Sequence, residues 1–97
     1  MGEQENTLWL KCRASAGQFQ KELAVSGQDR AGNGFSMFVD RDLVVGESEH
    51  ALLKVIGLAS EGELVLVRLP GRTFENGQTI TVRRSQLEQE PVLHIVS

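Results

Sequence analysis

The chain has 97 residues, with 10 Lys and Arg, 13 Asp and Glu, and a formal net charge of −3. This length supports one domain, and 40 % hydrophobic with 24 % charged residues is typical of a soluble globular protein, which excludes a disordered chain. The negative net charge gives no overall attraction to nucleic acid or to an acidic membrane. The apolar runs are far shorter than the roughly 20 residues of a membrane-spanning helix.

The single cysteine, Cys12, excludes a disulfide bond within the chain and is typical of a protein from a reducing compartment. Residues 1–6 are polar and acidic, unlike a signal peptide, and we expect them to form a disordered lead-in. Residues 7–97 are then expected to form the one domain. These features together predict a cytoplasmic location.

Residues 7–14 have an apolar side chain at every even-numbered position, and this two-residue period predicts a first strand. Successive side chains of a strand point to opposite faces, so the even-numbered residues of this segment face the core. Trp9, Lys11 and Arg13 then project together from the outer face.

The next two apolar segments predict a β-hairpin. Residues 19–26 and 35–40 are the predicted strands, and the Gly- and Asn-containing segment 28–34 between them has the composition of a tight turn. After the second of these strands, residues 40–44 are expected to form a single helical turn capped by Asp40.

Residues 51–59 are compatible with either a strand or a short helix. Ser48 is placed to cap a short helix that runs to Ile56, but Val55, Ile56 and Gly57 are poor helix formers. The segment is followed by a Gly-containing loop at 60–63 and a further apolar run. Two apolar runs around such a loop favour a hairpin, and we therefore expect a strand.

The last third of the chain predicts further strands. The Asn76-Gly77 pair is a strong turn signal, and it precedes a predicted strand over 79–83. A short turn is expected over 85–90. Residues 91–96 form a final extended segment, and its initial proline favours an edge position.

Six to seven short antiparallel strands without a long helix predict an all-β fold. A single small barrel of the SH3-like type fits this length best, with a compact β-sandwich or an OB-like barrel as the alternative. The predicted core consists of the inward-facing residues Leu8, Leu10, Leu23, Val25, Phe35, Met37, Val39, Val55, Val65, Val67, Ile80 and Val82.

The chain carries no motif typical of a metal centre, a cofactor site or a catalytic centre. His50, His94 and Cys12 do not have the spacing of zinc ligands, and Asp40 with Asp42 lacks the remaining positions of a calcium loop. We therefore predict no metal, no cofactor and no enzymatic activity. An enzyme that uses Cys12 with a histidine is the third and least favoured alternative.

The most informative cluster of side chains is the outward face of the first strand. A tryptophan beside cations can stack on a planar group or hold an anionic partner, so we predict a binding site formed by Trp9, Lys11 and Arg13, with Arg83 and Arg84 extending it. This predicts a non-enzymatic binding or adaptor module for a protein or anionic partner. Nucleic acid is less favoured, because the chain has one Trp, four Phe and no Tyr for base stacking.

The alternative function is that of a structural or self-associating subunit. The segment 91–96 is short, uncharged and rich in β-branched residues, and a free strand of this kind can pair with another chain. The sequence is therefore compatible with a monomer or a homodimer, and it indicates no membrane partner.

Overall fold

A computed structural model of the chain describes residues 6–17, 19–71, 73 and 77–88. These residues form eight strands and two 3₁₀ turns. The strands are β1 Asn6–Ala16, β2 Glu22–Gln28, β3 Gly34–Asp40, β4 Val44–Val45, β5 Ser48–Glu61, β6 Leu64–Arg68, β7 Thr79–Arg83 and β8 Leu87–Glu88, and the 3₁₀ turns are Arg41–Leu43 and Arg84–Gln86. Within the described residues, no helix is long and apolar enough to cross a membrane.

All eight strands belong to one antiparallel sheet. Its main order is β3-β2-β1-β5-β6-β7, while β4 pairs with β5 and β8 pairs with β1. The sheet curls into a half-barrel, and the second 3₁₀ turn carries the chain from β7 back to β8 and so to β1. The all-β class with a single small antiparallel sheet is thus confirmed, whereas membership of the SH3-like type stays a prediction.

The tip of the β2–β3 hairpin contacts the far end of the sheet. The backbone N–H of Arg30 donates a hydrogen bond of 2.8 Å to the carbonyl oxygen of Thr81 in β7. Asp29 orders this tip because its carboxylate accepts hydrogen bonds of 2.9 Å from the backbone N–H groups of Ala31 and Asn33. The hydrogen bond from the backbone of Asn33 is the main reason why the pKa of Asp29 is lowered.

The core lies on the concave side of the sheet, as the alternation in the sequence predicts. Of the twelve predicted core residues, all except Leu8 and Ile80 are buried, and these two are half-buried and pack against the core. The buried set also includes Cys12, Ala51, Leu53 and Leu69. Ala51 and Leu53 are buried because β5 runs beside β1 along most of its length.

Residues 51–59 form a strand, as expected, and belong to the long β5. The register of β5 against β6 shifts between Gly57 and Ala59, which marks an irregularity where the pairing of β5 with β1 ends. The turn into β6 is shorter than predicted, because Glu61 already pairs with Leu64. Gly62 adopts φ of 60° there, a conformation that suits glycine.

Several boundaries differ from the sequence-based expectation. β1 begins at Asn6, inside the expected lead-in, because Asn6 pairs with Gly57. β2 begins at Glu22, three residues later than predicted. The preceding residues form a turn instead, in which the N–H of Glu22 donates to the carbonyl of Phe19 and the N–H of Gly17 donates to the carbonyl of Glu22.

The expected helical turn after β3 is present as the 3₁₀ turn Arg41–Leu43. Asp40 occupies the N-cap position, but its side chain makes no capping hydrogen bond. The prediction of Asp40 as a side-chain cap is therefore wrong. The turn is closed by the backbone N–H of Val44, which donates to the carbonyl of Arg41. Residues 1–5 and the predicted final strand 91–96 lie outside the described part of the chain.

A matched pair of glycine substitutions tests the packing of the β2–β3 hairpin. A Cβ atom added at Gly27 would approach the ring of the buried Phe35 to 2.9 Å, whereas one at Gly34 would meet only a backbone oxygen at 3.8 Å. Gly27→Ala is expected to lower the free energy of unfolding by about 1–3 kcal/mol through overpacking. Gly34→Ala is expected to change it by less than about 1 kcal/mol. Urea denaturation measures both, and equal effects would contradict the packing described.

Candidate functional site

The strand β1 changes partner along one of its edges. On one edge it pairs with β5 from Asn6 to Cys12 and again at Ala14, with a register shift between Cys12 and Ala14. On the other edge it pairs first with β8, at Trp9 and Leu10, and then with β2, from Arg13 to Ala16. Between β8 and β2 this second edge has a fork, where Lys11 and Cys12 pair with neither strand; their partners on the first edge are Leu52 and Ala51 of β5.

An open groove of about 680 Å³ lies at this fork. Lys11 and Arg13 of β1 line it as exposed side chains, and Ser85 and Gln86 of the second 3₁₀ turn line it as well. The buried ring of Phe35 also contributes to the lining. The groove therefore combines two cations with an apolar surface and several polar side chains.

Three hydrogen bonds order one side of the groove. The ammonium group of Lys11 donates a hydrogen bond of 3.0 Å to the carbonyl oxygen of Ser85. The Gln86 amide is held at both ends, since its Nε2 donates to the carbonyl of Gln28 at 2.8 Å and its Oε1 accepts from the backbone N–H of Arg83 at 2.7 Å. These bonds hold the 3₁₀ turn against β1 and β2.

Arg13 is the cation of the groove that is free to bind. It is exposed, and it makes no hydrogen bond or ion pair with the residues that the structure describes. A guanidinium group presents five N–H donors in a planar fork that matches a carboxylate or phosphate. Lys11 and Arg13 are both exposed on either side of the buried Cys12, so they project on the same face of β1. Glu49 also lines the groove, so the charge there is mixed.

Trp9 lies next to the groove rather than in it. It is half-buried and occupies the same face of β1 as Lys11. Its cross-strand neighbours are Lys54 in β5 and Glu88 in β8. Trp9 is therefore placed to extend a ligand contact beyond Lys11 along the outer face of β1.

The structure does not bring all five residues of the predicted site together. Arg83 extends from the end of β7 towards the hairpin tip, where its Nε donates a long hydrogen bond of 3.4 Å to the carbonyl of Arg30. Arg84 turns the other way and donates to the carbonyl of Gly62 at 2.7 Å. Arg84 lines a separate cavity of about 300 Å³ beside Leu8. Only Lys11 and Arg13 of the five line the groove.

Sequence analysis missed the polar residues that complete the groove. Ser26 and Gln28 come from β2, and Ser85 with Gln86 comes from the second 3₁₀ turn. These segments are far apart in the sequence and meet only because β2 and β8 share one edge of β1. No local pattern in the sequence carries this information.

Cys12, His50 and His94 are the residues that sequence analysis considered for catalysis or metal binding. Cys12 lies in the core beneath the groove, and burial raises the pKa of its thiol to about 11. Among the described residues, no group of three or more His, Cys, Asp or Glu side chains is placed to hold a metal ion. His50 is exposed, and His94 lies outside the described part of the chain.

Comparisons of the chain with protein-family models, with curated proteins and with solved structures found no match. The geometry of the groove is therefore the basis for any functional assignment.

The buried thiol of Cys12 predicts a loss of stability in alkali. Its pKa is about 11 in the folded protein against an ordinary value of 9.0, so its stabilising contribution is complete below about pH 9 and is lost as the pH rises through 11. Between pH 8 and pH 11 the wild type is expected to lose about 2 kcal/mol more than Cys12→Ala. The chain has no Tyr to titrate in this window. Urea denaturation at each pH measures the difference, and parallel profiles would contradict it.

Proposed function

We propose that this domain is a non-enzymatic binding module whose groove at the β1 fork holds an acidic segment of a protein partner. The main support is the exposed guanidinium group of Arg13, which lies beside the ordered cation of Lys11 and has no partner among the described residues. Bidentate hydrogen bonds between arginine and a carboxylate are among the strong polar contacts of protein recognition. Trp9 adds a partly exposed aromatic surface next to this cation pair.

The charge of the groove favours a protein segment over nucleic acid. Lys11 and Arg13 face one acidic neighbour, Glu49, in the same groove. A nucleic-acid strand carries a closely spaced series of phosphates, which Glu49 and the net charge of −3 would repel. An acidic peptide carries fewer charges with wider spacing, so two of its carboxylates can approach the cations without approaching Glu49.

A binding role also agrees with the environment of Cys12. At pH 7 a thiol with a pKa of about 11 carries about one thiolate in ten thousand molecules, so it is a poor nucleophile. A lone thiol inside the core also supports a location in the cytoplasm, where cysteines remain reduced. We therefore propose no catalytic residue for this chain.

Replacing the free cation tests the proposal directly. Arg13→Ala is expected to weaken binding of short Asp- and Glu-rich peptides by about tenfold or more, because a hydrogen bond to a charged group contributes about 1.5–3 kcal/mol. The matched control is Lys21→Ala, which removes an exposed cation outside the groove and is expected to leave binding unchanged. Fluorescence of Trp9, the sole Trp, reports the binding.

Two outcomes would contradict the proposal. The first is equal affinity of the wild type and Arg13→Ala for the acidic peptides. The second is tighter binding of a short single-stranded oligonucleotide, with a steep loss of affinity as salt rises, which would identify a phosphate backbone as the partner. The same peptides with Asn and Gln in place of Asp and Glu serve as the control for charge, and they are expected not to bind.

A further inference from the structure

A β-bulge brings two titratable side chains of β5 next to Arg13. The register shift between Cys12 and Ala14 leaves one residue of β1, Arg13, opposite two residues of β5, Glu49 and His50. Both of these β5 residues are exposed. Bulges re-aim side chains and are common beside functional sites. Glu49 and His50 are thus the cross-strand neighbours of the cation that the groove offers to a ligand.

The turn that precedes β5 holds the backbone of His50 in place. The N–H of His50 donates a hydrogen bond of 3.1 Å to the carbonyl of Glu47. Gly46 packs closely against the same residue, since a Cβ atom added there would approach the carbonyl oxygen of His50 to 2.6 Å. Gly46 has φ of 86° and Ser48 has φ of 56°, a left-handed conformation that is uncommon for serine. This compact turn determines where β5 begins and which of its residues form the bulge.

His50 shares a small cavity with residues of the groove. This cavity of about 190 Å³ is lined by Lys11, Glu49, His50 and Glu88, together with two uncharged residues of β5. Lys11 and Glu49 also line the groove, so the cavity adjoins it. The side chains of Glu49, His50 and Glu88 make no hydrogen bond or ion pair with the residues that the structure describes. They are therefore available to act on a ligand at the cations beside them.

The charge of this region depends on the protonation of His50. Lys11 and Arg13 of β1 are balanced by Glu49 of β5 and Glu88 of β8, while β2, β3 and the second 3₁₀ turn add only uncharged side chains to the described lining. Glu47, in the turn before β5, lines a different cavity. Histidine is the side chain that ordinarily changes charge between pH 5 and pH 8. Protonation of the imidazole therefore changes a balanced region into one with an excess positive charge.

We propose that His50 is a further contact residue of the groove, and that its protonated form supplies a third cation for the acidic segment of the partner. The inference rests on the proposed function, because it concerns the same ligand at the same site. Neighbouring residues on adjacent strands have Cβ atoms about 5 Å apart, so an imidazole and a guanidinium from these positions can contact one segment together. The module then binds its partner more tightly as the pH falls from 7.5 to 5.5.

Protonation of His50 acts on the ligand in two ways that have the same sign. It adds a positive charge that attracts the carboxylates of the segment, and it offsets Glu49, which repels them. One unit charge at about 5–8 Å from a ligand carboxylate at a solvated surface changes affinity by about three- to tenfold. Because the ligand favours the protonated imidazole, the complex holds more protons than the free protein and binding takes up protons between pH 5 and pH 8.

Titration with an Asp-rich peptide that has blocked termini and no histidine tests the inference. The peptide keeps nearly constant charge between pH 5.5 and pH 7.5, because the ordinary pKa of Asp is about 3.9. The wild type is expected to bind it about fivefold more tightly at pH 5.5 than at pH 7.5, whereas the affinities of His50→Gln are expected to differ by less than about twofold. Isothermal titration calorimetry at pH 6.5, in two buffers with different ionisation enthalpies, measures proton uptake, which we expect for the wild type and not for His50→Gln.

The second histidine of the chain provides a matched control. The chain has two His, and His94 lies outside the described residues. His94→Gln is expected to keep the pH dependence and the proton uptake of the wild type. Glu49→Gln removes the carboxylate that His50 offsets, so it is expected to tighten binding about threefold at pH 7.5. Far-UV circular dichroism at both pH values verifies the fold of every variant.

The outcomes distinguish this inference from the proposed function. Equal affinity of the wild type at the two pH values would overturn the role of His50, while the proposed function would stand if Arg13→Ala still weakens binding. Undiminished pH dependence in His50→Gln, or its loss in His94→Gln, would assign the titration to another group and overturn the inference as well. If the wild type bound the Asp-rich peptide at neither pH, both the proposed function and the role of His50 would be wrong.

Discussion

The structure depends on the way the backbone of β1 is hydrogen-bonded along both edges. A strand inside a sheet must satisfy its N–H and C=O groups on each side. β5 does so along one edge, whereas the other edge is shared between β8 and β2. The sheet can curl because β8 and β2 approach the same edge of β1. The groove exists because they do not meet there, which leaves Lys11 and Cys12 between them.

The alternation of residue types was sufficient to predict most of the core and the fold class. Leu10, Val25 and Val67 are buried because the two-residue period of a strand places them on the face that packs into the core. The same period places Lys11 and Arg13 together on the outer face of β1. These are local properties, and they hold whichever strands become neighbours in the sheet.

The positions of the other site residues depend on strand order, which is not a local property of the sequence. Arg83 and Arg84 are adjacent in the sequence, yet one ends near Arg30 and the other near Gly62, because β7 ends and a 3₁₀ turn begins between them. The register shift between Gly57 and Ala59 lies at a glycine where a small barrel can bend, but its position relative to β1 and β6 depends on strand order. The polar side of the groove, including Gln86, follows from the same long-range pairing.

A domain with a single curved sheet has little depth for an enclosed site, so its binding chemistry lies at forks between strands and on outer strand faces. The groove lies at the fork of β1, where Lys11 and Arg13 meet side chains from β2 and from the second 3₁₀ turn.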